Sequence, residues 1–181
     1  MESDAQNLIS LFHRKWALPV LAEMSRTRGS RVVVLKNRLG ITPAALRQTL
    51  DHLIELGYVV ANPGYGHPLR PEYILTAKGQ HAADACARID ASSKRLGISE
   101  LAYRKWFLPV LWTVAEEPLR FSEIAVRARP ITDRALSQSL VQLEEARLIR
   151  PLPLEIRPPA NLYGLRRRAG TIAEALGELA A

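Results

Sequence analysis

The chain is expected to be mainly α-helical with small β-hairpin wings, an α+β fold made of two tandem winged helix-turn-helix domains. The octapeptide Arg14-Lys15-Trp16-Ala17-Leu18-Pro19-Val20-Leu21 returns as Arg104-Lys105-Trp106-Phe107-Leu108-Pro109-Val110-Leu111, ninety residues on in a chain of 181. Each copy continues with a short amphipathic stretch, then a Thr-capped amphipathic stretch, then two β-prone runs around a proline-rich segment. A ninety-residue period is too long for a solenoid unit, so each copy reads as a small domain with its own core: residues 1–90 and 91–181.

From Asn7 to Met24 apolar residues recur at helical spacing, with Leu8, Leu11, Phe12, Trp16, Val20 and Met24 near one face. Pro19 is tolerated only in a first helical turn, so a new helix is expected to start near His13–Trp16, and Pro109 demands the same break in the second copy. Arg26–Ser30 reads as a loop. A short helix covers Val33–Leu39 and is closed by Gly40; Thr42 caps a helix from Pro43 to about Leu56, which Gly57 terminates. Tyr58–Ala61 and Glu72–Leu75 then flank a long hairpin tip, and Thr76 caps a helix from Ala77 to about Leu96.

The second copy retraces this path. Arg120-Phe121-Ser122-Glu123-Ile124 opens a short helix, and Thr132 caps a helix over Asp133–Ala146. Leu148–Arg150 and Leu162–Gly164 flank a tip from Pro151 to Pro159, and Thr171–Leu179 closes the chain.

The formal charge is +7. The excess is shared, with 11 basic against 8 acidic residues in 1–90 and 14 against 10 in 91–181. A basic balance in both copies points to an anionic partner. Arg outnumbers Lys twenty to five, which a GC-rich genome would explain without any ligand; the excess of base over acid it would not. Cys86 is the single cysteine, so no intrachain disulfide forms and a cytoplasmic home is expected. No run approaches membrane-span length and the N-terminus lacks the basic start of a signal peptide, so no membrane partner is expected.

A short helix, a tight turn, a capped helix and a long-tipped hairpin make a winged helix-turn-helix, which places its second helix in the DNA major groove. The order of Lys15-Trp16, Ile41-Thr42, Leu46, Gln48, Leu50, Leu53, Gly57 and Glu72-Tyr73-Ile74-Leu75-Thr76-Ala77-Lys78-Gly79 resembles the HxlR-type winged-helix regulators, relatives of the MarR group. So does that of Lys105-Trp106, Arg120 to Ile124, Ile131-Thr132, Leu136-Ser137-Gln138 and Tyr163. The chain departs from the family pattern in Arg31-Val32-Val33-Val34-Leu35 where Arg-Phe-x-Glu-Leu is usual, in Arg147 where a helix-ending glycine is usual, and in Arg166 where a Thr would cap the next helix. The resemblance implies single-domain proteins that dimerise through terminal helices, so one fused chain is expected to be its own dimer, a monomeric pseudo-dimer rather than a homodimer.

The outward first turns of the two capped helices supply the candidate DNA contacts: Thr42, Ala44, Ala45, Arg47 and Gln48, against Thr132, Arg134, Ser137 and Gln138. Arg pairs with guanine and Gln with adenine, while Thr and Ser hydroxyls, Arg31 and Arg120 hold phosphates. Tyr65, His67 and Arg70 in the first wing and Arg157 in the second are placed on flanking DNA, and Arg166-Arg167-Arg168, the densest basic run, is a further candidate for DNA phosphate contact, against a reading as a solvated helix start. The bland reading of each isolated arginine is a solvated helix-surface charge.

Trp16, Trp106 and Trp112 sit among aliphatics and read as core. The four histidines, His13, His52, His67 and His81, share no ligand spacing with one another or with Cys86, and no phosphate-binding glycine loop occurs. No catalytic residues, cofactor or metal are therefore expected, and the chain is not read as an enzyme. Cys86 reads as a small buried apolar residue rather than an oxidant sensor. The expected function is a sequence-specific double-stranded DNA-binding protein, a nucleoid-associated bacterial transcription regulator with RNA polymerase as a further candidate partner. The alternative is a tandem winged-helix scaffold for other proteins, or a chromosome-architecture protein.

Overall fold

A computed structural model describes residues 2–64, 70–155 and 160–180. The expected break at Pro19 falls between α1 (Glu2–Leu11) and α2 (Ala17–Ser25), where Pro19 occupies the first turn, a place in which an N–H would have no partner within the helix. The first helix-turn-helix is α3 (Val32–Leu39) and α4 (Pro43–Glu55). The turn between them needs Gly40 at φ +62° and a cap at Thr42, whose side chain accepts the Ala45 amide at 3.3 Å. The cap leaves Pro43 at the first helical position, where its fixed φ suits the helix.

Strands β2 (Val59–Ala61) and β3 (Tyr73–Leu75) form the wing, and β1 (Gly29–Ser30) adds to β3, giving antiparallel order β1-β3-β2. The sequence reading of Arg26–Ser30 as loop is therefore corrected at its end. Two residues carry no alternation to read; only pairing with Tyr73 and Ile74 makes them a strand. The wing leads into α5 (Ala77–Leu96), capped as expected by Thr76, which accepts the Gly79 amide at 3.0 Å.

The same order of elements recurs. After α6 (Ser99–Ala102) come α7 (Phe107–Thr113), β4 (Leu119–Arg120), α8 (Phe121–Arg127), α9 (Asp133–Glu145), β5 (Ile149–Leu154), β6 (Ala160–Leu165) and α10 (Gly170–Ala180), with sheet order β4-β6-β5. Residues 41–50 and 131–140 are buried and exposed at the same places. Here the second tip is shorter than expected, because Pro151 and Pro153 belong to β5. They are tolerated there because β5 is an edge strand, with β6 as its single neighbour, so alternate N–H groups face away from the sheet. The last helix begins a residue earlier than expected and is entered through a 3₁₀ turn, Arg167–Ala169.

At the three departures from the family pattern the backbone is satisfied differently. Where Glu123 accepts the Arg120 amide at 2.7 Å to start α8, the first copy has Val34, and there the wing residue Glu72 reaches the helix start and accepts the Val32 amide at 3.1 Å. Gly57 ends α4 at φ +75°, whereas Arg147 takes the same left-handed conformation at φ +57°, a cost of about 1 kcal/mol for a residue with a Cβ. Arg166 stands at the cap position without any side-chain cap bond, forgoing about 1 kcal/mol that a Thr would contribute.

No loop separates the two runs at residues 90 and 91, since α5 passes straight through them. Helix α1 packs on α7 and α10, and α5 lies along α10. Leu8 and Leu11 of α1 and Phe12 just after it join one continuous core with Leu18, Leu21, Ile89, Phe107, Leu111 and Leu176. Polar ties follow the same route: Gln6 Nε2 donates to the Arg129 carbonyl at 2.6 Å and Lys15 meets Glu100 at 3.3 Å. Among the described residues no helix is long and apolar enough to cross a membrane.

Candidate nucleic-acid interface

Helices α4 and α9 expose the same face. Each buries the Leu46, Leu50, Leu53 or Leu136, Leu140, Leu143 stripe against the core, which forces the opposite side of its first two turns outward. Thr42, Ala44, Arg47 and Gln48 are exposed on α4; Thr132, Arg134, Ser137 and Gln138 are exposed on α9. Ala45 differs from the expectation. Its side chain is half-buried and packs on the core, leaving its amide engaged with Thr42, so it offers a duplex little surface. Thr49 and Ser139, one turn on, donate to the Ala45 and Ala135 carbonyls at 2.8 Å in both helices and are buried.

Around these faces lie the other expected contacts. Arg31 is half-buried at the N-cap of α3, and Arg120 is exposed at the N-cap of α8. Arg120 lines a cleft of about 570 Å³ with Ser122 and Arg127, where Arg127 pairs with Glu117 at 2.6 Å. Arg70 is exposed near the first wing tip and donates to the Gly64 carbonyl at 3.0 Å. Tyr65, His67 and Arg157 lie outside the described residues. Arg166, Arg167 and Arg168 are exposed, but they sit where β6 enters α10, beside the C-terminal end of α9 rather than its exposed first turn.

One pair escaped the sequence reading. Arg104 and Lys105 line a small cleft of about 110 Å³ together with Gln138, beside the outward face of α9. Their signal was the repeated Arg-Lys of the octapeptide, which reads equally well as the rim of a helix start.

Two further titratable groups with shifted equilibria lie around Asp90. Burial pushes the Cys86 thiol well up from its ordinary range, and the neighbouring Asp90 carboxylate adds to the effect; the side chain is fully buried. Tyr103 is likewise raised by burial and by its 2.7 Å bond to Asp90. Among the described residues no group of His, Cys, Asp and Glu is arranged to hold a metal ion.

Residues 101–181 match the HxlR-like helix-turn-helix family. A stretch of 76 residues is 34% identical to an uncharacterized HTH-type transcriptional regulator of Halalkalibacterium halodurans, covering 41% of this chain and 67% of that protein. No solved structure matches the chain. With the capped helix pair, the three-stranded wing and this similarity in agreement, the chain belongs to the HxlR-like helix-turn-helix family.

Proposed function

We propose that this protein is a double-stranded DNA-binding transcription regulator in which residues 1–90 and 91–181 are two winged helix-turn-helix domains paired as an internal dimer. The reading is carried by the twin exposure of Thr42, Ala44, Arg47 and Gln48 with Thr132, Arg134, Ser137 and Gln138, mostly polar and basic residues opposite the buried leucine stripes of two equivalent helices. Those first turns enter successive major grooves, with Arg31 and Arg120 on phosphates and the wings on flanking DNA.

The contact between α5 and α10 supports the pairing. Arg88 and Glu178 stand ninety residues apart in the repeat and donate and accept a two-bonded ion pair, one bond at 2.9 Å. The guanidinium holds the Glu178 carboxyl below the usual carboxylate range. Equivalent positions of two copies touch only beside the axis relating them. In a dimer of identical chains that contact would set like charge against like charge; one fused chain can place arginine on one side and glutamate on the other.

Two measurements test the reading. Light scattering on a complex with the shortest high-affinity duplex is expected to give one chain per duplex, with half-site centres about 34–36 Å apart; two chains per duplex would remove the internal dimer. Arg47→Ala and Arg134→Ala are each expected to weaken the preferred site by about 1–3 kcal/mol and to relax base preference in one half-site only. Uniform loss across sequences would make them phosphate clamps, and no duplex binding at low salt would favour a protein-binding scaffold.

A further inference from the structure

Among the described residues a dense cluster of positive charge lies away from the helix faces assigned to DNA. Arg147, Arg150, Arg166, Arg167 and Arg168 line a cleft of about 540 Å³ with Leu165 as their one apolar neighbour. No carboxylate lines it. Among the described residues none of the five forms an ion pair; Arg166 Nε donates to the Ile149 carbonyl at 3.1 Å and Arg168 to that of Leu96 at 3.3 Å, which aims the pair without neutralising it.

The first copy is a built-in comparison. Ninety residues earlier stand Gly57, Val60, Leu75, Thr76, Ala77 and Lys78, a set with one base. That base is used locally: Lys78 donates to the Leu56 carbonyl at 3.0 Å and lies 4.3 Å from the centre of the Tyr58 ring. The fold therefore does not require arginine at these positions. At two of them arginine stands against local preference, in the left-handed conformation of Arg147 and at the uncapped helix entry of Arg166. Arginines that repel one another, two of them at positions that suit them poorly, point to a bound counter-charge.

The place of the cleft sets it apart from the duplex face. It lies at the C-terminal end of the thirteen-residue α9, about 20 Å along the helix from the Thr132 end, and at the base of the β5–β6 hairpin rather than at its tip. Guanidinium groups bind phosphate oxygens in two-bonded pairs, and converging arginines suit adjacent phosphates better than a single carboxylate. The volume is that of a small-molecule site.

We propose that this cleft binds a free small ligand carrying two or more adjacent phosphates. A ligand there would tie the end of α9 and the start of β5 to the entry of α10, the helix that lies along α5. Phosphate chemistry is shared with a nucleic-acid backbone, so the test has two arms.

In the first arm the full chain is titrated calorimetrically with inorganic tripolyphosphate at fixed ionic strength, beside the Arg150→Gln/Arg167→Gln variant. Saturable one-to-one binding is expected, weakened at least about tenfold in the variant. In the second arm both proteins are titrated into a random duplex with no tripolyphosphate, and equal affinities and salt slopes are expected. Absence of saturable binding, equal binding by the variant, or equally tight binding of polyglutamate would overturn the proposal. So would a duplex salt slope flattened by about one for each arginine removed, which would make the cleft a backbone contact. Because duplex binding is read without tripolyphosphate, failure of the cleft leaves the DNA-binding reading standing.

Discussion

Replacing Gly79 with alanine should destabilise the protein by about 2–3 kcal/mol, lowering the midpoint of thermal unfolding by roughly 5–10 °C. Gly79 lies in the first turn of α5, where the helix passes directly over the end of α4. A Cβ there would overlap the Tyr58 carbonyl oxygen and come within 2.8 Å of its carbon. Both are backbone atoms. They are held by the Thr76 amide, which donates to the Tyr58 carbonyl at 3.1 Å, and by the Thr76 hydroxyl, which donates to the Gly57 carbonyl at 2.7 Å, so the clash cannot be relieved by turning a side chain. At the equivalent position the second copy carries Ala169, fully buried, and there the chain enters its helix through a 3₁₀ turn. The control is Gly177→Ala on α10, an exposed helical position with nothing within 4 Å of the added carbon, which should raise stability by about 0.5–1 kcal/mol. Denaturant unfolding of both variants decides the point. A neutral Gly79→Ala would mean that α5 does not sit this close to Tyr58.

Duplex binding should lose about a thousandfold in affinity between 50 and 200 mM salt if some six phosphates are neutralised across the two helix-turn-helix units and the wings. The expectation rests on a formal charge of +7 spread over both copies and on Arg120, Arg47 and Arg134 standing exposed beside the outward turns. Arg31→Ala or Arg120→Ala should weaken all sequences alike and flatten the slope of log affinity against log salt by about one each. Anisotropy titrations on one preferred and one random duplex at four salt concentrations provide the measurement. A slope unchanged by both variants, with preference lost at one base pair, would move these arginines from phosphate to base contacts.

Much of the local architecture was legible without coordinates because it is written in short-range chemistry. Thr42, Thr76 and Thr132 are caps whose hydroxyls accept an amide three residues on, and Pro19 and Pro109 permit a helix only if it begins just before them. Leucines at helical spacing on α4 and α9 say which face is buried, and hence which residues are left for a ligand. The recurrence of the octapeptide and of the capped helix supplied each reading twice. The exposure of Thr42, Ala44, Arg47, Gln48, Thr132, Arg134, Ser137 and Gln138 follows from the same pattern, whereas the half-burial of Ala45 depends on how α4 leans on its neighbours rather than on spacing.

What local pattern could not supply was everything set by pairing across the chain. Strands β1 and β4 are two residues each and exist because β3 and β6 offer them hydrogen-bonding partners. Pro151 and Pro153 read as tip residues until β5 proved to be an edge strand, where a missing N–H goes unmissed. The Glu72 carboxylate replaces an absent Glu at the start of α3 from forty residues away. Arg147, Arg150 and the run Arg166–Arg168 are scattered charges in the chain and become one cleft when β5 pairs with β6 and α10 folds back beside the end of α9. Composition, helical period and capping determined which segments form and which faces they bury, because those depend on neighbours within about four residues. Which charges converge, and which faces remain open, was decided by tertiary packing, because burial and Coulombic crowding depend on distance through space.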